Sequence, residues 1–253
     1  MFDSTNKIHK SVVIEGEVTI GKNNIIGPNV VITGKINIGN NNIIGPGTTI
    51  VNYVEIGDKN NFIGNVFIGA QGEMGTKGDI LMDDAIVKIG NQNIFREFIT
   101  VNSPVRRKIT SIGNNCYFMA RSHIAHDCII HNYVTMAQAT LAGGITIFDH
   151  TFVGLGSVSH QWINIGESVM IAMQAANTRD LPPFSIVSGI PSKLLKFNRV
   201  GAERRGFSKD ELDETDQNFE AIILGSYHSD NYIVKTIHSF LEKFPKHLKK
   251  FVK

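Results

Sequence analysis

The side chains best suited to chemistry lie near the middle of the chain, in the segment ARSHIAHDCII (120–130). His123 and His126 are three residues apart, and Asp127 directly follows the second histidine. An imidazole titrates near neutral pH, and a neighbouring carboxylate can orient it as a general base. The same spacing could also hold a metal ion or belong to an ordinary polar surface. The backbone that carries these residues decides between the three interpretations.

Composition narrows the class of protein. The 253 residues include 25 lysines and arginines against 23 aspartates and glutamates, a net charge of +2, which does not indicate a nucleic-acid-binding protein. Cys116 and Cys128 belong to no metal or disulfide pattern, which favours a reducing compartment. Residues 1–16 lack the basic and apolar regions of a signal peptide, and no apolar run approaches the ~18 residues of a membrane span. We therefore expect a cytoplasmic protein without a transmembrane segment.

A period of six residues organises most of the chain. Every sixth residue from Ile14 to Ile68 is large and apolar, and glycine often follows it. This period matches neither the 3.6 residues of a helix nor the alternation of a plain strand. It fits short strands joined by corners, with about 18 residues in each triangular coil and neighbouring coils burying each other's apolar residues. The sequence thus predicts an all-β parallel β-helix of about ten coils. Later inward positions are Ile112, Phe118, Ile124, Ile130, Met136 and Ala142, then, after a one-residue slip, Ile147, Val153, Ser159, Ile165 and Ile171.

Two segments interrupt the repeat, and a different pattern follows it. Residues 71–86 and 103–108 break the period, so we expect them to leave the prism as surface loops near the histidines. From Ser208 the chain has the Ser-x-x-Glu pattern of a helix start, followed by apolar residues at helical spacing. The predicted organisation is a β-helix domain over residues 1–200 and a small α-helical domain over residues 201–253.

The repeat also orients the two histidines. Ile124 occupies an inward position, so its neighbours His123, His126 and Asp127 should point out of the prism. Neighbouring outward side chains diverge on such a surface, which disfavours a metal site. A histidine base, together with a backbone N–H at Gly143–Gly144 about one coil later, could instead support acyl transfer to a hydroxyl or an amine. The chain has no GxSxG motif, which favours direct transfer over a covalent acyl-enzyme.

The chain resembles the hexapeptide-repeat acyltransferases, and among them the UDP-N-acetylglucosamine O-acyltransferases of lipid A biosynthesis. The resemblance implies a left-handed β-helix and a homotrimer with active sites at the subunit interfaces. It further implies transfer of an acyl group from an acyl carrier protein or CoA thioester to a UDP-linked sugar, without a metal or bound cofactor. The motifs that carry it are HIAHDC (123–128), TLAG (140–143), HQ (160–161), DLPPF (180–184) and NRVGAERRGFS (198–208).

The same resemblance implies roles for individual residues. His126 would be the general base, Asp127 its partner, and the Gly143 N–H the donor to the oxyanion. Arg204 and Arg205 also suit a pyrophosphate on independent grounds, because guanidinium groups bind phosphate oxygens in pairs. By the resemblance His123 and His160 would line the site with Gln161 nearby, and Asn198 and Arg205 match nucleotide-contacting positions. Together with Arg204, these are the predicted substrate-binding residues.

Several positions depart from the family pattern. Gly144 stands where a histidine is usual, and Val200 stands where an acidic residue is expected. Residues 70–78 and 102–105 also lack the usual loop motifs. Three functions therefore stay open. They are O-acylation of a UDP-linked N-acetylglucosamine-type sugar, N-acylation of another nucleotide-linked amino sugar for O-antigen or capsule, and a non-catalytic sugar-binding or scaffold β-helix.

Overall fold

The computed structural model of the protein describes residues 2–73 and 84–244. Short strands follow one another around a prism, and three helices come after them in this part of the chain. The helices are α1 (Arg199–Arg204), α2 (Lys209–Ile223) and α3 (Tyr232–Lys243). The strands are β1 (Lys7–Ile8), β2 (Val13–Ile20), β3 (Ile25–Ile26), β4 (Val31–Ile38), β5 (Ile43–Ile44), β6 (Thr49–Ile56), β7 (Asn61–Phe62), β8 (Phe67–Ala70), β9 (Ile86–Ile89), β10 (Ile94–Phe95), β11 (Thr100–Asn102), β12 (Ile109–Ile112), β13 (Tyr117–Phe118), β14 (His123–Ile124), β15 (Ile129–Ile130), β16 (Thr135–Met136), β17 (Thr140–Leu141), β18 (Thr146–Ile147), β19 (Phe152–Val153), β20 (Val158–Ser159), β21 (Asn164–Ile165), β22 (Met170–Ile171), β23 (Ala176–Asn177), β24 (Ser185–Ser188) and β25 (Lys193–Phe197).

The strands form the three faces of a parallel β-helix. One face is an 11-stranded sheet in the order β1-β3-β5-β7-β10-β13-β16-β19-β22-β24-β25, in which only the last pair is antiparallel. The other two faces belong to one 14-stranded sheet, because the long strands β2, β4 and β6 run continuously around the corner between them. In later coils that corner separates β14 from β15. The predicted fold class, a β-helix of about ten coils followed by helices, is confirmed.

The inward positions carry the core. The rings of Phe62, Phe95 and Phe118 stack along the axis, with centroids 4.7 and 5.0 Å apart. One predicted position is wrong, because Ala142 is only half-buried whereas Leu141 is fully buried and pairs with Ile124. The shortened corner therefore precedes Leu141 rather than following it, and the larger apolar side chain fills the prism.

Asparagine side chains join successive coils at another corner. The carboxamide oxygen of Asn24 accepts hydrogen bonds from the backbone N–H and side-chain amide of Asn42, 18 residues later, at 2.8 and 3.1 Å. Asn42 accepts the same two bonds from Asn60. All three side chains are buried. The ladder thus satisfies polar groups that the tight corner would otherwise leave without partners.

The helices pack on the end of the prism through a second apolar cluster, which includes Phe184, Phe197 and Phe219. Ser208 and Glu211 form the predicted capping box at the start of α2. The predicted domain boundary between residues 200 and 201 stays a prediction. In the structure, the first helix, α1, begins at Arg199. Parts of two predicted segments, residues 74–83 and 245–253, lie outside the described residues. Within the described ranges, none of the helices has the length and apolarity required to cross a membrane.

Candidate active site

His126 and Asp127 form a hydrogen-bonded pair at the corner between β14 and β15. Asp127 has a φ of +63°, and this left-handed corner turns its carboxylate back toward the imidazole. The His126 Nδ1 lies 2.7 Å from Asp127 Oδ2. Both side chains leave the prism, as the repeat predicts, but they are not on a solvated surface, being only 6% and 0% exposed. A covering segment must therefore exclude water from the pair.

That covering segment is the loop at residues 103–108, which wraps around the Asp127 carboxylate. The backbone N–H groups of Val105, Arg106 and Arg107 donate to its oxygens at 3.0, 3.1 and 2.7 Å. The Asp127 N–H in turn donates to the Thr110 hydroxyl at 2.8 Å. The carboxylate therefore has a fixed orientation. If it accepts the Nδ1 proton of neutral His126, the Nε2 lone pair is free to accept a proton.

Gly143 packs against the His126 ring, nearest to its Cε1 atom. A Cβ atom at this position would come 2.3 Å from Cε1 and 2.6 Å from Nε2 of the imidazole, so only glycine fits. The Gly144 N–H donates to the His126 carbonyl at 2.9 Å, whereas the Gly143 N–H has no acceptor among the described residues. An unpaired N–H donor thus belongs to the residue that touches the ring.

The other predicted residues of this region lie on the same side of the prism. His123 is half-buried, and its Nδ1 is 2.7 Å from the Thr100 hydroxyl. Burial lowers the pKa of His123, an effect that Glu73 opposes and that His126 reinforces. His160 and Gln161 are exposed, one coil beyond Gly143. Among the residues that the structure describes, no group of three histidine, cysteine or acidic side chains could hold a metal ion.

Asn198, Arg204 and Arg205 line a different cleft. Its volume is about 550 Å³, and it also contains Tyr133 and His150, whose rings stack with centroids 4.6 Å apart. The cleft lies over the 11-stranded sheet, whereas His126 occupies the corner between the other two faces. A single chain therefore does not bring the two predicted groups of site residues together.

Two of the three predicted nucleotide-binding side chains have internal partners. Arg205 forms an ion pair with Glu167 and donates to the Ser168 hydroxyl at 2.8 Å. Asn198 caps α1, accepts from the Gly201 N–H at 3.1 Å and donates to the Ser168 carbonyl at 2.8 Å. Arg204 is exposed and has no side-chain partner in the described parts of the chain. Of the three, Arg204 is the one free to meet an incoming anion.

Sequence reasoning missed the residues that hold this site together. Three kinds of contact were missed. The backbone N–H groups of residues 105–107 bind Asp127, and the hydroxyls of Thr100 and Thr110 lie next to His123 and the Asp127 N–H. The Trp162 ring packs on Gly144. The interruption at residues 103–108 was the available signal, since insertions in a β-helix are often functional. Its particular partner, a carboxylate some twenty residues later, has no local pattern in the sequence.

The parallel β-helix places the chain among the hexapeptide-repeat proteins. Residues 4–34 match the family model for the bacterial transferase hexapeptide (six repeats). Residues 180–253 match the model for UDP-N-acetylglucosamine O-acyltransferase, domain 2. The repeat and the helical end of the chain thus point to the same family.

Individual relatives extend this match over the whole chain. The acyl-[acyl-carrier-protein]–UDP-N-acetylglucosamine O-acyltransferase of Aliivibrio salmonicida is 40% identical over 251 residues, 97% of this chain and 93% of the relative. This chain therefore belongs to the UDP-N-acetylglucosamine O-acyltransferase family. The enzyme of the same name from Campylobacter concisus is 41% identical over 147 residues, 54% of this chain. That alignment covers 56% of the relative, and the alignments with the Synechocystis and Gloeothece citriformis enzymes of the same name cover 51% and 50%. The chain thus spans about half the length of these relatives.

Solved structures of UDP-N-acetylglucosamine acyltransferases have the same fold. The Francisella novicida protein is 28% identical with a TM-score of 0.76, and the match covers 100% of this chain and 90% of the other. The Campylobacter jejuni protein is 29% identical with a TM-score of 0.74, covering 98% of each chain. Both the prism and the helical end therefore have counterparts in these proteins.

Proposed function

We propose that this protein transfers an acyl group from an acyl carrier protein thioester to a hydroxyl of a UDP-linked N-acetylglucosamine-type sugar. Relatives that align over nearly the full chain are named for this reaction. The observation that carries the proposal is the buried pair of His126 and Asp127, held at 2.7 Å, with its ring against the unpaired N–H of Gly143. A base and an oxyanion donor are the two groups that direct acyl transfer needs.

In the proposed mechanism the acceptor oxygen attacks the thioester carbonyl carbon. His126 Nε2 takes the hydroxyl proton as the new C–O bond forms, and the Gly143 N–H donates a hydrogen bond to the oxyanion. The C–S bond then breaks, and His126 returns the proton to the departing sulfur, which leaves as a thiol. Asp127 stabilises the imidazolium that exists between the two proton transfers.

Direct transfer without an acyl-enzyme is part of the proposal. Cys116 and Cys128 are both buried, and burial raises the pKa of each thiol to about 12. A thiolate is the nucleophilic form of cysteine, so neither residue is activated for acylation at neutral pH. The acceptor hydroxyl then attacks the donor thioester itself.

The proposed assembly is a homotrimer in which neighbouring subunits complete each site. The cleft that contains Arg204 lies over one face of the prism, and His126 lies at the corner between the other two. In this assembly a nucleotide sugar held by Arg204 of one subunit meets the His126 of a neighbouring subunit. Closed cyclic symmetry allows each subunit to offer its base to one neighbour and its cleft to the other.

The proposal is tested by acyl transfer with His126→Ala and His9→Ala, the latter an exposed histidine far from the site in sequence. We expect His126→Ala to lower kcat by about 10²–10⁴-fold, as for other general bases, and His9→Ala to have no effect. Undiminished transfer by His126→Ala would refute the base assignment. A wild-type protein that acylates only an amino group of a nucleotide sugar would favour the N-acyltransferase. No transfer to any nucleotide sugar would favour a binding protein.

A further inference from the structure

Trp162, the only tryptophan in the chain, lies at the same corner of the prism as the catalytic pair. Asp127, Gly144 and Trp162 occupy equivalent positions on successive coils, with φ values of +63°, +75° and +62°. The backbone bonds that join these coils run from the Gly144 N–H to the His126 carbonyl and from the Trp162 N–H to the Gly143 carbonyl. The indole is thus attached to the backbone that carries the proposed oxyanion donor.

The indole packs directly on the backbone of Gly144. A Cβ atom at residue 144 would come 2.3 Å from Cε3 and 2.5 Å from Cδ2 of the Trp162 ring. These distances are far below van der Waals contact, so the ring can occupy this place only because residue 144 is glycine. Gly144 and Trp162 therefore form one matched pair.

Arg107 links the indole to the catalytic carboxylate. Its guanidinium carbon lies 5.0 Å from the centroid of the Trp162 ring, within the range of a cation–π contact. Its Nη1 donates to the Asp127 carbonyl at 3.0 Å, and its backbone N–H donates to Asp127 Oδ1 at 2.7 Å. One residue of the loop therefore contacts Trp162 and binds Asp127 at two points.

We propose that Trp162 is a positioning residue for the acyl-transfer reaction. Its indole, supported by Gly144, stacks on Arg107 and so holds the loop at residues 103–108 closed over Asp127. The closed loop fixes the Asp127 carboxylate and, through it, the imidazole of His126. This role rests on the proposed function of His126 as the general base.

Kinetics of Trp162→Ala, Trp162→Phe and Arg107→Ala test this role. We expect Trp162→Ala to lower kcat roughly tenfold, because small misplacement of a catalytic group is costly. The KM values should change by less than about twofold, since in this proposal Trp162 acts through the loop and not on a substrate. Trp162→Phe should retain most of the activity, and the Arg107→Ala/Trp162→Ala double variant should lose little more than either single variant. A raised KM with wild-type kcat, or additive losses in the double variant, would overturn the proposal.

The fluorescence of Trp162 provides a readout that does not depend on turnover. We expect Arg107→Ala to shift its emission, because the cation next to the ring is removed. Gly144→Ala should shift the emission and also lower kcat, since the new Cβ displaces the indole. The matched control is Gly156→Ala, at a φ of +67°, where the nearest atom to a new Cβ is Gln174 Cγ at 3.8 Å. It imposes similar backbone strain without touching Trp162, so neither emission nor kcat should change.

The two sets of results separate this inference from the proposed function. If His126→Ala remains active, the base assignment fails, whereas the emission shifts of Arg107→Ala and Gly144→Ala still report the stack. If His126→Ala is inactive but Trp162→Ala and Arg107→Ala keep the wild-type kcat, only the positioning role fails. Equal emission shifts in Gly144→Ala and Gly156→Ala would likewise overturn the packing of Trp162 on Gly144.

Discussion

Arg204 and Arg205 are adjacent in sequence, yet their surroundings give them different tasks. The Arg205 guanidinium pairs with Glu167, a side chain that is only 17% exposed, and it lies over the rings of Phe184 and Phe207 at 5.4 and 5.2 Å. Arg204 extends into the cleft from the surface of α1. Removing Arg205 would leave a mostly buried carboxylate without its ion pair and with only the Tyr232 hydroxyl, at 3.3 Å, as a donor. Removing Arg204 would leave nothing unpaired among the described residues.

We therefore expect the two alanine variants to fail in different assays. Arg204→Ala should raise the KM for the nucleotide sugar about tenfold, the loss of one charge-assisted contact, with unchanged stability. Arg205→Ala should lower the free energy of unfolding by about 2–3 kcal/mol. Substrate titrations and urea unfolding of both proteins make the comparison. Equal losses of stability would contradict the division of roles.

We expect His123 to make the stability of the protein depend on acid. Because burial lowers the pKa of His123, the unfolded chain binds a proton more readily than the folded protein. Both forms are neutral above the ordinary histidine pKa of about 6.5, so the difference has no effect there. As the pH falls below that value, the unfolded state is stabilised first, and the folded protein loses stability until the pH passes the folded-state pKa.

Replacing His123 with glutamine should therefore flatten the pH dependence of stability. We expect the free energy of unfolding, measured in urea between about pH 7 and pH 5, to fall less in His123→Gln than in the wild type. Glutamine can still hydrogen-bond to Thr100, so the two proteins should be similar at pH 7. Parallel curves across the whole range would show that His123 does not contribute.

At the scale of the repeating element, ladders of asparagine side chains join successive coils next to the apolar core. Asn60 is a central member of one ladder, and its carboxamide both accepts from Asn93 and donates to Asn42 and to the Gly90 carbonyl. A truncated side chain would leave several buried groups without partners, each costly on its own. The neighbouring Asn61 points away from the prism and has no such bonds among the described residues.

Asn60→Ala should accordingly lower the free energy of unfolding by about 3 kcal/mol, whereas Asn61→Ala should change it by less than about 0.5 kcal/mol. Chemical denaturation of both variants measures the difference. The pair compares the same substitution at two adjacent residues, Asn60 in the corner before β7 and Asn61 at the start of that strand. Comparable losses would indicate that the strand, rather than the ladder, is sensitive.

The same element scale explains how much the sequence can predict. Inward residues recur every six positions, so Ile124 and the core could be located by counting. Counting by six fails where the corner before Leu141 is one residue short. Leu141 and Ala142 are both apolar, so the pattern does not tell which of them points inward. The burial of Asp127 could not be predicted at all, since it depends on three backbone N–H groups of a loop whose conformation has no repeat.

For the whole molecule, the decisive feature is the distance around the prism between the two groups of site residues. The repeat places His126 at a corner, and the helical end places Arg204 over the opposite face. The sequence contained both motifs, but a linear order does not tell which ones share a site. In the proposed trimer, each reaction uses the His126 of one subunit and the Arg204 of its neighbour.

Mixed trimers of His126→Ala and Arg204→Ala subunits test this arrangement. Every trimer that contains both kinds of subunit has one site out of three with a wild-type base and a wild-type arginine, so kcat/KM should recover to roughly a third of the wild-type value. If both residues acted within one subunit, no intact site could form. Only the weak Arg204→Ala sites would then turn over, and a tenfold defect at half of the sites would leave roughly one-twentieth. Subunits carrying different tags, purified together after coexpression, distinguish these values, with each variant alone as the control.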